Sequence, residues 1–218
     1  HADAQGEPVA PPPPLIIWLQ GGNGCSSLIG ALSELGPFAA AADGESLRAN
    51  NFSWHTLPAH IVFLDRPAGA GFSFARGAEP NASTWANDRQ TALDTAVFVR
   101  RLLERHPWLC AREIFVAGES YAGHFTIQAA LALLNDTTLC ADVAGVLIGN
   151  GVVSINETNY AWFESGFTHS LVSSATWDAV RENCDFSADL GIDGNGCPSS
   201  QSTACRLGLA RWFNESGS

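Results

Sequence analysis

Ser120 lies within "EIFVAGESYAGHFTIQAALALL" (Glu113 to Leu134), which begins with the apolar run of a buried strand and continues as a helix. A serine hydroxyl is a poor nucleophile unless a base takes its proton and donors stabilise the charge it creates. A sharp strand-to-helix turn would expose such a serine, and the turn needs small residues two positions either side of it. Gly118 supplies one and Ala122 the other, so the strict G-x-S-x-G spacing fails by one methyl, with Gly123 next door. A serine here could also be an ordinary helix cap. The strand before it and the helix after it favour the nucleophile.

A second segment supplies what acyl transfer requires next. "WLQGGNGCSSL" (18–28) places Gly21 and Gly22 directly after the apolar run "LIIWL". One oxyanion donor would be the N–H of Tyr121, and the other would come from this glycine loop. The plain alternative is a tight turn with glycines at positive φ.

These residues need elements to hold them. Leu15 to Leu19 reads as a buried strand, and "SLIGALSELG" as a short helix stopped by Gly36-Pro37. Ile61 to Asp65, "EIFVA" and Val143 to Ile148 read as further strands. Residues 83–106 form a helix, with Leu93, Ala96, Val97, Val99, Leu102 and Leu103 as its apolar stripe. Alternating strands and helices predict an α/β fold with a mostly parallel sheet covered on both faces. The proline-rich lead-in (1–14) reads as loop. Residues 1–150 are expected to be the N-terminal part of the core. Residues 151–218 should hold the end of that segment and the start of a cap or insertion, with an aromatic cluster at 160–167, a helix from Ser174 to Asn183 and loop-like chain at 189–205.

Bulk properties narrow the function. The 218 residues carry a formal charge of −11, without the basic patch a nucleic-acid partner needs. No apolar run approaches the length of a membrane span. Glycosylation sequons at Asn51, Asn81, Asn135, Asn156 and Asn214, with six cysteines, argue for the secretory pathway: vacuolar, lysosomal or extracellular. The cysteines include no close CxxC pair, against a structural zinc site, and no metal or cofactor is expected. Cys110 and Cys140 each lie three residues before a predicted strand. If those strands are parallel neighbours, both thiols share one sheet edge and can be bridged.

Together, "WLQGGNGCSSLIGALSELGPF" (18–38), "FLDRPAGAGFSFA" (63–75), "GESYAGHF" (118–125) and "LIGNG" (147–151) resemble the serine carboxypeptidase family of α/β-hydrolases, in the family's order. The resemblance covers residues 15 to about 183 and implies an α/β-hydrolase-type sheet. It implies Ser120 as the acyl-enzyme nucleophile and the amides of Gly22 and Tyr121 as the oxyanion hole. It assigns Glu34 and Glu119, with Trp18, Gln20 and the Gly21 amide, to the terminal carboxylate of a peptide substrate. Carboxyls facing a third anion cannot all ionise cheaply, so one must stay protonated, and activity is expected at acidic pH. The family has Asn and Pro where this chain has Gln20 and Asn23. Gln20 keeps an amide one methylene further out, which would weaken or re-aim carboxylate binding.

Family members place a catalytic Asp and then a His well downstream of the serine, and nothing here matches those segments. His1, His55, His60, His106, His124 and His169 each have another explanation; His169 matches a non-catalytic family position. The chain therefore resembles the front half of a hydrolase, inactive alone and completed by a C-terminal chain or segment carrying Asp and His. Cys25 matches a family cysteine whose partner lies in the insertion, and Cys184, Cys197 and Cys205 are left as an odd set. The expected activity is release of C-terminal residues from peptides. The alternatives are a related acyltransferase, disfavoured by Glu119 where those enzymes often carry Asp, and a non-catalytic binding protein on a hydrolase scaffold.

Overall fold

The computed structural model describes residues 11–22, 24–75, 87–188, 190 and 200–217. Asn23, Asn81, Cys197 and His1 lie outside them, as does the start of the predicted 83–106 helix. The chain divides into two compact units, His1–Gly151 and Val152–Ser218.

The first unit is built on a four-stranded parallel sheet ordered β4-β1-β5-β6, with β1 at Leu15–Leu19, β4 at His60–Phe63, β5 at Ile114–Glu119 and β6 at Val143–Gly149. β1 is buried along its whole length, as a central parallel strand must be. Its odd residues Leu15, Ile17 and Leu19 join Ile114 and Val116 in one core cluster. Its even residues Ile16 and Trp18 join Ala117 on the opposite face, backed by Trp54 and Phe63. Between β1 and β4 the chain also forms a small antiparallel hairpin, β2 (Phe38–Ala40) with β3 (Leu47–Ala49), which the sequence pattern does not announce.

Helices α1 (Asp88–Arg105) and α2 (Ala122–Leu134) pack against each other and the first core cluster. Asn87 caps α1 by accepting the Gln90 N–H. The buried face of α1 is Thr91, Ala92, Thr95, Ala96, Val99 and Leu103. Leu93 and Val97, expected inside, are exposed. Small residues there let the neighbouring helix approach, and α2 answers with Ala122, Gly123, Ala129 and Ala130. Cover on both faces does not extend to β6, where Val146 and Leu147 are exposed.

The second unit is helical: α3 (Ile155–Thr168), α4 (Ser174–Asn183) and α5 (Thr203–Ser216). Phe163, Trp177, Val180, Leu209 and Trp212 form its core. Ser154, Ser173 and Ser202 each cap the helix that follows. Only the first turn of helix α5, Thr203 to Cys205, falls in the chain expected to be loop. No helix among the described residues is long and apolar enough to cross a membrane.

Candidate active site

Ser120 stands between β5 and α2 with φ of 55°, a left-handed backbone that a non-glycine residue adopts only when its surroundings impose it. The imposition is visible. A Cβ built on Gly118 would lie 2.7 Å from Ala122 Cβ, 2.7 Å from Thr126 Oγ1 and 2.8 Å from the Leu19 carbonyl. So the chain tolerates one methyl at position 122 because position 118 has none. The Ser120 N–H donates to the Gly149 carbonyl at 3.1 Å, fastening the turn to the end of β6.

The glycine loop meets this turn directly. A Cβ on Gly21 would lie 2.5 Å from the Glu119 carbonyl, 2.7 Å from Ser120 Cβ and 3.2 Å from Tyr121 N. Gly22 follows at φ of 57°. Tyr121 is the N-cap of α2, where the helix dipole favours negative charge. The two predicted donor segments are therefore side by side at the serine.

Gln20 joins the remaining predicted residues. It is 4% exposed, and its Oε1 accepts from Trp18 Nε1 at 3.0 Å and from the Gly30 N–H at 3.1 Å. Two donors on one atom fix the amide's orientation. Its Nε2 then donates to Glu34 Oε1 at 3.1 Å and Glu119 Oε1 at 3.0 Å. Both amide hydrogens are used, so Gln20 bridges the two glutamates. Burial holds the Glu119 carboxyl above the usual carboxylate range, the charge of Glu34 adds to this, and the Gln20 hydrogen bond opposes it. Gly30 is the enabling glycine: a Cβ there would lie 2.5 Å from Trp18 Nε1. The predicted short helix winds as a single π turn, Gly30–Glu34, with the Leu35 N–H reaching back to the Gly30 carbonyl at 2.9 Å.

The loop after β4 supports this arrangement through residues not singled out from sequence. Asp65 Oδ1 accepts from Ser26 Oγ at 2.6 Å and the Ser27 N–H at 2.8 Å, and Oδ2 accepts from the Phe72 N–H at 2.9 Å. Burial alone would raise its pKa, but these hydrogen bonds outweigh it and hold the carboxyl below its ordinary value. Ser27 Oγ accepts the Gln20 N–H at 3.1 Å and donates to the Leu64 carbonyl at 2.7 Å. Arg66 donates from Nη2 to the Gln20 carbonyl at 2.8 Å. The signal was present in "FLDRPAGAGFSFA", where the charged pair Asp65-Arg66 stands at the end of an apolar run.

No hydrogen bond among the described residues joins Ser120 Oγ to an imidazole. His60 packs edge-on to Trp108, His106 ends α1, and His169 ends α3 with Nδ1 2.8 Å from the Ser165 carbonyl. His124 lies in α2 beside Tyr121, with its Nε2 buried and without a partner among the described residues. The expected Cys110–Cys140 disulfide is present, at the start of the neighbouring strands β5 and β6. Cys184 pairs with Cys205, and Cys25 is an exposed free thiol. Asn51, Asn135, Asn156 and Asn214 are all exposed. No cluster of His, Cys, Asp and Glu among the described residues could hold a metal ion.

Comparison with known proteins converges on one family. The model of the serine carboxypeptidase family matches residues 3–214. Serine carboxypeptidase-like 40 of Arabidopsis thaliana is 40% identical over 181 residues, covering 81% of this chain and 35% of the relative. Serine carboxypeptidase-like 42 of the same plant is 36% identical over 208 residues, covering 92% of this chain and 42% of the relative. The chain thus spans well under half the length of these relatives. The crystal structure of Kex1(delta)p, a prohormone-processing carboxypeptidase from Saccharomyces cerevisiae, superposes with a TM-score of 0.67 at 24% identity, over 94% of this chain and 45% of that one. With its parallel sheet, its serine-bearing turn and this agreement in sequence, the chain has the α/β-hydrolase fold and belongs to the serine carboxypeptidase family.

Proposed function

We propose that this chain is the nucleophile-bearing portion of a serine carboxypeptidase of the secretory pathway, which removes C-terminal residues from peptides at acidic pH. The observation that carries the reading is the pair Glu34 and Glu119, bridged by one buried amide beside a serine held at positive φ. Ser120 Oγ adds to the carbonyl carbon of the last peptide bond while a base takes its proton. The amides of Gly22 and Tyr121 receive the oxyanion. Collapse returns the proton to the departing amino group, leaves an acyl-serine, and water then releases the shortened peptide. Glu119, protonated because burial and Glu34 disfavour its charge, donates to the substrate's terminal carboxylate; Trp18, Gln20, Glu34 and the Gly21 amide complete that subsite.

The base and its orienting carboxylate come, on this reading, from a C-terminal segment or chain carrying a His and an Asp. The apolar residues left open on β6, an element type normally covered on both faces, are consistent with more protein packing there. Residues 152–218 would then begin a cap. The exposed sequons and two disulfides fit an oxidising, glycosylating compartment. Fluorophosphonate labelling tests the proposal. Ser120 should be labelled when the C-terminal portion is present, and Ser120→Ala should abolish the label. A complete protein that resists labelling at every pH between 4 and 8 would leave only a binding role on a hydrolase scaffold.

A further inference from the structure

Arg66 is 5% exposed and is the one buried charged residue in the core of the described chain. Its guanidinium lies over the Phe125 ring, with Cζ 3.4 Å from the ring centre, and its Nη2 donates to the Gln20 carbonyl. Asp88 at the start of α1 acts on it electrostatically, and the same Asp88 acts on the Tyr121 hydroxyl, whose pKa burial and this charge raise. Its Nε has no partner among the described residues. Taking a guanidinium out of water is costly, and an apolar side chain of similar volume would fill this place more cheaply. Packing does not account for it. Cation–π contact with Phe125 recovers part of the cost, and the bond to Gln20 is what a neutral hydrocarbon could not provide.

That carbonyl belongs to the Gln20–Gly21 peptide. A trans peptide is planar, so fixing its C=O fixes the Gly21 N–H in the opposite direction. Gly21 and Gly22 are also where this backbone resists rotation least, having no Cβ to restrict it. A rotated peptide would withdraw the Gly21 N–H and turn a carbonyl oxygen toward an anionic substrate. We propose that Arg66 is a positioning residue for carboxylate recognition: it locks the Gln20–Gly21 peptide so that the Gly21 N–H faces the substrate's terminal carboxylate. A charge-assisted bond to the carbonyl also polarises the peptide and strengthens that N–H as a donor. Burial lowers the Arg66 pKa to about 9 against the opposing pull of Asp88, which leaves it a cation throughout the acidic and neutral range. Phe125 lies on the helix that Ser120 precedes, so one side chain ties the glycine loop to the nucleophile's element.

This inference rests on the carboxylate-binding reading, and the test separates the two. The complete enzyme is assayed on matched peptides ending in a free carboxylate or a carboxamide, and the ratio of their kcat/KM values is compared across variants. The ratio does not depend on how much enzyme is correctly folded. Arg66→Met should lower it about tenfold, the loss of one charge-assisted hydrogen bond, with the change in the KM of the carboxylate peptide and little in its kcat. Arg66→Lys, which keeps a cationic donor but covers Phe125 poorly, should lose only about threefold and serves if the methionine variant does not fold. An unchanged ratio in both variants, or equal losses on both peptides, overturns the positioning role. An unsubstituted enzyme with no preference for the carboxylate would overturn the carboxylate reading itself.

Discussion

Replacing Gln20 with leucine tests the centre of the site, because the side chain keeps its approximate volume and loses only the amide. Two donors, Trp18 Nε1 and the Gly30 N–H, lose the acceptor they share. Each buried orphan costs about 1–3 kcal/mol, so Gln20→Leu should destabilise the protein by about 4 kcal/mol. A further effect depends on pH. Glu119 is already held above the usual carboxylate range by burial and by Glu34, and the Gln20 hydrogen bond is what opposes them. Removing it raises the folded-state pKa further while the unfolded value stays near 4.3. The folded state then binds the proton more tightly than the unfolded one, and the stability this supplies at low pH is lost as pH rises through the folded-state pKa. The variant should therefore be damaged more at pH 7 than at pH 4. The assay is equilibrium denaturation of the complete protein at both pH values. In parallel, the alkaline fall of kcat/KM on a peptide substrate should move to higher pH. A loss below about 1 kcal/mol that is equal at the two pH values would refute the hydrogen-bond hub.

Two further substitutions test the scaffold around the serine. Gly118→Ala should cost about 2–3 kcal/mol and impair Ser120 labelling, because the new methyl meets Ala122, Thr126 and the Leu19 backbone at 2.7–2.8 Å; normal labelling and denaturation midpoint would show that the turn has slack. Removing both Cys110 and Cys140 should cost about 3.5 kcal/mol by chain entropy for residues 30 apart, read from denaturation under non-reducing conditions; a change below about 1 kcal/mol would show that the parallel pairing of β5 and β6 suffices without the bridge.

What was legible in the sequence is what depends on neighbours along the chain. Strand β1 falls on Leu15–Leu19 and α4 on Ser174–Asn183 as the local pattern predicts, because apolar runs and serine caps act within a few residues. The Cys110–Cys140 bridge was legible for a related reason: two parallel neighbours begin at the same sheet edge, so equal offsets before each strand imply proximity. The buried face of α1 was legible only in part. Ala96, Val99 and Leu103 of the expected stripe are buried, but Leu93 and Val97 are exposed, and close packing against α2 selected Thr91, Ala92 and Thr95 instead. Bulk hydrophobicity ranks those residues wrongly wherever helices must approach closely. Helix α5 and the β2–β3 hairpin escaped because turn residues masked short or weakly patterned elements.

Gln20 shows how much of a named residue's role lies outside its local sequence. Beside the family's asparagine, an extra methylene reads as carboxylate binding that is weakened or re-aimed. In the structure that extra reach lets one amide accept from Trp18 and Gly30 while donating to both glutamates. The partners that give it this role lie 10, 14 and 99 residues away in the chain. Gly30 is the decisive one, since any side chain there would strike the Trp18 indole and close the space the amide occupies. The glutamine and the glycine therefore act as a pair. Gln20→Asn alone should not make carboxylate binding tighter, because a shorter amide that keeps Trp18 and Gly30 must let go of Glu34 or Glu119. A lower KM in that variant would mean that the glutamates do not need the bridge.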